Sequence, residues 1–254
     1  MNTFRLLGDL FHVFSIVVLI LRLRVSKNAN GISIKTQELY LVVFVARYLD
    51  LFTSFYSIYN TIMKISYIAA TSYIIYLVRY TEPFRTNYEK THDSFRHRHF
   101  AVLPSAVVAI ITCFIQGTYG IIDLFWTFSI YLEALAIVPQ LVVLQRYREV
   151  ENLTGHYVFF LGAYRLLYIF NWVYRAHYEA FYKHNWVVYS CGVVQTLLYI
   201  DFFYYFIIRY TYLSTTVIKC LNKHRIMLFF GLAKLVEESC HCRNRGPGSK
   251  STFS

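Results

Sequence analysis

The chain alternates long apolar runs with short polar stretches. Seven runs have the ~17–25 residues that an α-helix needs to cross a bilayer. They are residues 4–23, 36–53, 60–79, 99–116, 120–142, 157–176 and 186–208. Turn-forming sequences separate several of them, as at residues 28–31 (NANG) and 117–120 (GTYG). The pattern predicts an all-α integral membrane protein, with seven transmembrane helices in residues 1–208 and a tail at 209–254.

Composition favours the membrane over a soluble all-helical fold. Hydrophobic residues make up 57% of the 254 residues and charged residues 15%, whereas soluble domains carry about 25% charged residues. We expect the first run to be a membrane helix and not a cleaved signal, because it carries Asp9 and His12 and no small-x-small site follows it. The sequence therefore describes a polytopic membrane protein.

Cysteine usage gives no sign of a disulfide framework or a metal site. The five cysteines are odd in number and irregularly spaced. Cys240, His241 and Cys242 lie together, but a second pair of ligands is missing from the sequence around them. We expect no metal, no cofactor and no catalytic residue; the chain also lacks the HExxH and GxSxG motifs of metalloproteases and serine hydrolases.

Lysine and arginine fall almost entirely into alternate loops. Only Lys183 lies in the loops of the other side. The residues of the basic side are Arg22, Arg24, Lys27, Lys35, Arg79, Arg85, Lys90, Arg96, Arg98, Arg146 and Arg148. By the positive-inside rule the C-terminus is cytosolic and the N-terminus lies in the lumen or outside. The net charge of +11 is thus mostly a topology signal, and no nucleic-acid partner is expected.

Two of the predicted spans share a short pattern. Residues 47–52 (RYLDLF) and 165–170 (RLLYIF) both read R-x-L-x-(L/I)-F. They lie on spans two and six, which run in the same direction through the membrane. This favours two parallel three-helix bundles joined by helix four, as in SWEET transporters. Pro139 and Gln140, near the end of span five, agree with such a SWEET/PQ-loop-like fold.

Polar residues inside the spans recur at helical spacing, so each set lies on one face of its helix. The sets are Arg5, Asp9 and His12; Arg47, Asp50 and Ser54; Asp123, Trp126 and Glu133; and Arg165, Tyr168, Trp172 and Arg175. Charges in a bilayer usually face a cavity or a partner. Four arginines and four carboxylates are compatible with a closed structural network. That network fits the sites together less well than a polar ligand cavity, because the planar donor forks of four arginines are suited to the carboxylates of a ligand.

Two further intramembrane residues have alternative interpretations. His12 is either a packing residue or a proton switch, because histidine ordinarily titrates between pH 5 and 8. Asp201 is a helix-packing partner, a proton site or a coupling residue, and the sequence does not choose among these.

Five segments that carry these residues resemble one family. MNTFRLLGDLFH, ARYLDLFTSFYSIYNT, WTFSIYLEALAIVPQL, YRLLYIFNWVYR and VVQTLLYIDFFYYF closely resemble the KDEL receptors, the ER lumen protein-retaining receptors of eukaryotes. The similarity covers about residues 1–208. It implies a seven-helix bundle with a lumenal N-terminus in ER and Golgi membranes. It also implies binding of C-terminal KDEL/HDEL-type signals of soluble ER-resident proteins at the acidic pH of the Golgi, and their return to the ER in COPI vesicles.

The resemblance also implies roles for individual residues. A cradle for the ligand's carboxylates corresponds to Arg5, Arg47, Tyr48, Arg165 and Arg175. The pair that receives the ligand's basic first residue corresponds to Asp123, where the family usually has Glu, and Trp126. The pH switch corresponds to His12, Glu133 and Tyr164. Other residues of the cavity correspond to Asp50, Ser54, Tyr168, Asn171 and Trp172. Asp201 resembles a residue needed for retrograde transport.

Further expectations concern Asp50, the C-terminal tail and a rival function. Asp50 is expected to hold Arg47 in position before a ligand arrives. The long tail departs from the family, whose members end in a short lysine-bearing segment read by the COPI coat. The rival function is that of a small-solute transporter of the SWEET type; an arginine-lined cavity suits an anionic peptide better than a neutral sugar.

Overall fold

The computed structural model describes residues 2–53, 55, 57–147, 151–179, 182–204 and 207–208. The chain divides into two compact units, Met1–Asp201 and Phe202–Ser254, and the cavities described below are lined by residues of the first. Ser54, the tail from residue 209 and its Cys240, His241 and Cys242 lie outside the described residues. The hypotheses made for them stay predictions.

The described part of the chain is helical and contains no strand. Its helices are α1 (Thr3–Ser26), α2 (Ile34–Arg47), α3 (Ile58–Tyr80), α4 (Phe84–Asn87), α5 (Leu103–Gln116), α6 (Ile121–Ala136), α7 (Val138–Arg146), α8 (Asn152–Tyr178) and α9 (Trp186–Tyr204). A 3₁₀ turn, Leu49–Phe52, follows α2, and a π-helical turn, Arg98–Val102, precedes α5. The prediction of an all-α protein is confirmed.

Each of the seven predicted spans falls on a helical segment. Within the described residues, five segments are long and apolar enough to cross a membrane: Thr3–Ser26, Ile58–Tyr80, Arg98–Gln116, Ile121–Arg146 and Trp186–Tyr204. The other two predicted spans coincide with α2 and α8. Helix α2 has only 14 residues, and α8 has 27 residues but is more polar along its length. Both of these helices carry arginines of the candidate site.

The α-helical part of the second predicted span ends at Arg47. Tyr48 leaves helical geometry, with φ −100° and ψ 22°, and a 3₁₀ turn follows it. At ~1.5 Å per residue, α2 is about 21 Å long, which is shorter than the ~30 Å hydrocarbon core. The break places Arg47 at a helix end, where its side chain extends into the interior of the protein.

Helices α1 and α8 pack against each other along most of their length. Gly8 permits the close approach, because a Cβ added there would lie 2.9 Å from the ring of Tyr168. Ring contacts such as Phe4 with Phe170 and Phe11 with Phe160 continue the interface. This packing brings the polar faces of two predicted spans together.

Pro139 and Gln140 lie where α6 gives way to α7. Gln140 is fully buried. Its side chain accepts a hydrogen bond from the Ser33 backbone N–H at 2.8 Å and donates one to the Gly31 carbonyl at 2.7 Å. Its own backbone N–H donates to the Thr36 hydroxyl at 2.9 Å. The dipeptide therefore fastens α7 to the N-terminal end of α2.

The outer surface of the candidate spans is strongly apolar. On α5, Ile110, Ile111, Phe114 and Ile115 are all more than half exposed. An exposed apolar band of this extent is unusual for a soluble protein. It is the surface that a lipid-embedded helix presents.

Candidate functional site

A cavity of about 400 Å³ opens between the helices. Residues from α1, α2, α3, α6, α8 and α9 line it. They are Arg5, Asp9, His12, Phe44, Arg47, Tyr48, Asn60, Met63, Lys64, Tyr67, Trp126, Ile130, Glu133, Tyr164, Arg165, Tyr168, Trp172 and Val188. The cavity therefore collects polar faces that are far apart in the sequence.

Glu133 joins the two arginines of the repeated R-x-L-x-(L/I)-F pattern. Its Oε2 lies 2.7 Å from Arg47 Nη1 and 3.0 Å from Arg165 Nη2. The Tyr164 hydroxyl donates a hydrogen bond to its other oxygen, Oε1, at 2.9 Å. Glu133 is buried, so its charge depends on these partners. One carboxylate thus forms ion pairs with two guanidinium groups.

The remaining guanidinium nitrogens are held differently in the two arginines. Arg165 Nε donates to Gln195 Oε1 at 2.5 Å, and Arg47 Nε donates to the Ser129 hydroxyl at 3.1 Å. Arg47 Nη2 is buried and has no hydrogen-bond partner among the described residues. A buried donor left unpaired is costly. Arg47, which lines the cavity, therefore retains one buried donor without a partner among the described residues.

Arg5 and Asp9, one turn apart on α1, do not neutralise each other. Asp9 accepts hydrogen bonds from the hydroxyls of Tyr59 at 2.9 Å and Tyr168 at 2.5 Å. Arg5 donates from Nη2 to Asn60 Oδ1 at 3.3 Å, and no described carboxylate pairs with it. Arg5 is therefore a second cation whose charge remains available to the cavity.

His12 lies between two tyrosine rings. Its ring centroid is 4.3 Å from that of Tyr164, with the planes only 7° apart, and 4.6 Å from that of Tyr67. Tyr164 is the residue that donates to Glu133. A change of charge on His12 would therefore act on the Glu133 network through one stacked ring.

The expected pairing of Arg47 with Asp50 is wrong in this structure. Asp50 instead accepts hydrogen bonds from Lys64 Nζ, at 2.9 Å to Oδ1 and 2.8 Å to Oδ2. The 3₁₀ turn after Tyr48 directs Asp50 towards α3, whereas Arg47 extends towards α6. The residue that holds Arg47 is Glu133, 86 positions away in the sequence.

Other residues expected at the site lie beyond the cavity wall. Asp50 is not among the described residues that line the cavity, but it pairs with Lys64, which is. Asp123 is exposed near the N-terminus of α6. Asn171 is buried and accepts a hydrogen bond from Asn2 at 2.7 Å. Arg175 pairs with Glu179 at 2.8 Å, and Asp201 is exposed on α9.

Several residues of the cavity wall were not among the candidates from the sequence. Asn60, Lys64 and Tyr67 are spaced i, i+4 and i+7 on α3, the same helical spacing that singled out the other polar faces. That pattern was present in the sequence and identifies this face of α3. Phe44, Met63, Ile130 and Val188 are apolar members of apolar runs, and nothing in the sequence distinguishes them from lipid-facing residues.

The charges on the cavity wall do not balance. Among the described residues lining the cavity, four are cationic and two are carboxylates. The cationic residues are Arg5, Arg47, Lys64 and Arg165; the carboxylates are Asp9 and Glu133. Lys64 pairs with Asp50 outside the wall, so the excess consists of three arginines against two carboxylates. Trp126 and Trp172 contribute aromatic surface to the wall. The geometry therefore suits an anionic ligand with aromatic or aliphatic groups.

Fold and cavity together describe a helical membrane protein with an internal, arginine-lined cavity. The chain belongs to the ER lumen protein retaining receptor family, whose model matches residues 28–175. That match includes Arg47, Glu133 and Arg165. The family is one of receptors and not of enzymes.

The chain also resembles receptors from plants and from Plasmodium, and each match spans almost the whole length of the relative. The ER lumen protein-retaining receptor of Petunia hybrida is 50% identical over 206 residues, which is 81% of this chain and 94% of the relative. The Plasmodium falciparum receptor is 48% identical over 206 residues, covering 81% and 92%. Receptor B of Arabidopsis thaliana is 47% identical over 210 residues, covering 83% and 95%.

Proposed function

We propose that the protein binds the C-terminal KDEL/HDEL-type signal of soluble ER-resident proteins in the Golgi at acidic pH. It returns them to the ER by retrograde vesicle transport. In this account the protein is a multi-pass receptor of ER and Golgi membranes, with a lumenal N-terminus and a cytosolic C-terminus. Its membership of the ER lumen protein retaining receptor family supports this role.

The observation that carries the proposal is the buried, unpaired guanidinium nitrogen of Arg47, a residue that lines a cavity with excess positive charge. A signal ending in Asp-Glu-Leu brings two side-chain carboxylates and one terminal carboxylate. Arg5, Arg47 and Arg165 supply planar forks that bind carboxylates in a bidentate manner. Tyr48, Tyr164 and Tyr168 add hydroxyl groups at the same wall.

The aromatic side chains of the wall contact the other parts of the peptide, its first residue and its apolar groups. Trp126 accepts the positively charged first residue of the signal by a cation–π contact. Asp123, exposed three residues earlier on α6, attracts the same charge. Trp172 packs against the apolar part of the peptide. Arg175, which pairs with Glu179, and Asn171 complete the outer part of the site. Ser54 stays a candidate from the sequence alone.

The proposed membrane arrangement has seven spans, in two parallel three-helix bundles joined by the fourth span, residues 99–116, which contains α5. The two copies of the R-x-L-x-(L/I)-F pattern support it, since Arg47 and Arg165 approach one carboxylate oxygen from α2 and α8. The hydrogen bonds of Gln140 to the start of α2 are a further point in favour.

Transport requires a cytosolic partner, which in this proposal is the COPI coat. Asp201, exposed on α9, couples ligand binding to that step. The coat reads the cytosolic face, and the tail after residue 208 contributes to it.

The experiment that tests the proposal compares two forms of one peptide. A peptide ending in Lys-Asp-Glu-Leu with a free carboxylate is titrated into the detergent-solubilised full-length protein at acidic pH, beside the same peptide amidated at its C-terminus. We expect saturable binding of the free acid and a large loss of affinity for the amide. Equal affinities would contradict the carboxylate role of the arginines. Solute flux in proteoliposomes without peptide binding would favour a transporter.

A further inference from the structure

A second cavity, of about 720 Å³, lies at the opposite ends of α2 and α3 from the ligand site. Lys35 and Glu38 on the first turns of α2 and Arg79 and Tyr80 on the last turn of α3 line it. The ligand cavity is instead lined by Arg47, at the C-terminal end of α2, and by the N-terminal half of α3. The segment between α3 and α5 closes the second cavity, which we call the basic cleft.

The basic cleft has a pronounced excess of positive charge. Its described cations are Lys35, Arg79, Arg85, Lys90 and Arg98, and its described carboxylates are Glu38 and Asp93. Arg79 pairs with Glu38. No described carboxylate pairs with Arg85, Lys90 or Arg98. Three cations thus line one cleft with their charges uncompensated.

The buried carboxylate of the cleft, Asp93, is already satisfied by neutral donors. Its oxygens accept hydrogen bonds from the Ser33 hydroxyl at 3.0 and 3.1 Å and from the Tyr88 hydroxyl at 2.5 Å. The Lys35 backbone N–H also donates to it, at 3.4 Å. Tyr88, like any tyrosine, is an uncharged donor at neutral pH, and burial together with the bond to Asp93 raises its pKa further. Asp93 already accepts the donors at the N-terminus of α2. An added anion would therefore bind to the side-chain cations of the cleft and not to the helix end.

The cleft lies at the ends of two candidate membrane helices, where such helices meet the boundary between membrane and water. It lies at the C-terminal end of Ile58–Tyr80 and the N-terminal end of Arg98–Gln116. Tyr76 and Tyr80 are exposed and stack at 5.9 Å, as expected of the aromatic belt at the headgroup level. Phe100 and Leu103 are exposed at the start of the second helix. A ligand here can have its charge in the cleft and its apolar part in the bilayer.

We propose that the basic cleft binds the phosphorylated headgroup of an inositol phospholipid from the leaflet in which it lies. Clustered lysine and arginine between membrane helices attract such headgroups. The cavity volume falls within the ~300–1,000 Å³ of small-ligand sites. The positive-inside orientation puts the cleft on the cytosolic face, where such lipids are exposed to it. The site is separate from the signal-binding cavity and adds a lipid ligand to the proposed receptor.

The test uses the detergent-solubilised full-length protein and short-chain lipids. Short-chain phosphatidylinositol bisphosphate is titrated beside short-chain phosphatidylinositol, which has the same acyl chains without the added phosphates. The double variant Arg85→Gln/Lys90→Gln removes two cleft charges that have no described carboxylate partner. The matched control, Arg24→Gln/Lys27→Gln, removes two exposed charges from the same predicted face outside the cleft.

We expect the bisphosphate lipid to bind at least ~tenfold more tightly than phosphatidylinositol, and the cleft variant to lose that difference while the control retains it. Equal binding of the two lipids, or equal losses in the two variants, would overturn the proposal. Free inositol trisphosphate that bound as tightly as the lipid would identify a soluble phosphate as the ligand and also overturn it. The cleft variant should still bind the retrieval peptide, so the two proposals fail independently.

Discussion

Arg47 and Arg165 approach the same oxygen, Oε2 of Glu133, at 2.7 and 3.0 Å from their guanidinium nitrogens. They are 118 residues apart and occupy the first position of the two copies of one sequence pattern. Removing one partner of a buried charge pair leaves the other charge uncompensated. The resulting loss of free energy is larger than the net stabilisation that the pair provides. A ligand carboxylate that joins this cluster would supply the negative charge that the single glutamate does not.

Arg47→Ala should abolish measurable peptide binding while the protein still inserts into membranes. Truncating one partner of a buried, hydrogen-bonded charge pair costs about 2–5 kcal/mol, at least ~30-fold in Kd. Arg47→Lys should fail as well, because a compact ammonium cannot replace the planar fork. Binding to the purified variants is measured by titration. Arg24→Ala, an exposed arginine of α1 outside the cavity, is the control; a lysine variant that bound like the parent would refute the bidentate role.

Gly192→Ala should weaken peptide binding without unfolding the protein. A Cβ at this position would lie 2.5 Å from the Trp172 ring, so the ring must move away from the wall of the cavity. Overpacking of this kind typically costs ~1–3 kcal/mol, and we expect a loss of about fivefold or more in affinity. Val193→Ala, on the exposed side of the same helix, is the control. Unchanged affinity in Gly192→Ala would remove Trp172 from the ligand-binding surface.

Asp123→Ala should affect recognition of the first residue of the signal only. The carboxylate is exposed near the N-terminus of α6, three residues before Trp126. We expect the variant to lose more affinity for Lys-Asp-Glu-Leu than for Ala-Asp-Glu-Leu, because only the first peptide carries the additional positive charge. Parallel titrations measure both losses. Equal losses for the two peptides would exclude Asp123 from this contact.

Asn152 should remain without an N-glycan when the protein is made in a eukaryotic cell. The segment Asn152-Leu153-Thr154 is the N-x-S/T acceptor of this sequence, and the proposed topology puts it on the cytosolic side. The Thr154 hydroxyl also accepts a hydrogen bond from the buried Arg22 at 3.3 Å. Electrophoretic mobility before and after glycosidase treatment tests this. A glycosidase-sensitive mass shift would invert the orientation.

Helical periodicity was enough to predict the all-α class and most of the polar cavity. Spacings of i, i+3, i+4, i+7 and i+10 put His12, Arg47, Glu133 and Arg165 on inward faces, and the structure brings these four side chains to one cavity. Burial of a charge is so unfavourable in a membrane that such residues have few alternative positions.

The partners of the charges could not be predicted in the same way. Residues one turn apart, such as Arg47 and Asp50, look paired in a continuous helix. The 3₁₀ turn after Tyr48 separates them, so that Arg47 meets Glu133 and Asp50 meets Lys64. Such a break depends on how the segment packs against α3 and α6, and local sequence contains little information about it.

A peptide titration at two pH values, on the parent protein and on His12→Ala, tests whether the protein binds the retrieval signal in a pH-dependent manner. His12 is stacked on Tyr164 and Tyr67, with Tyr40 of α2 at 6.5 Å and Asp9 one turn away on α1. Glu133 of α6 faces it through Tyr164, and Arg47 and Arg165 adjoin Glu133. A proton on His12 would offset part of the negative charge that an acidic peptide brings.

If binding takes up that proton, linkage requires that affinity fall as pH rises. We predict that the parent binds a Lys-Asp-Glu-Leu peptide tightly at the mildly acidic pH of the Golgi and weakly at neutral pH, and that His12→Ala weakens acidic binding and removes most of the difference. A variant that kept the full difference would exclude His12 as the sensor and leave Glu133 or Asp9. A parent protein that bound the peptide equally at both pH values, or not at all, would contradict the account.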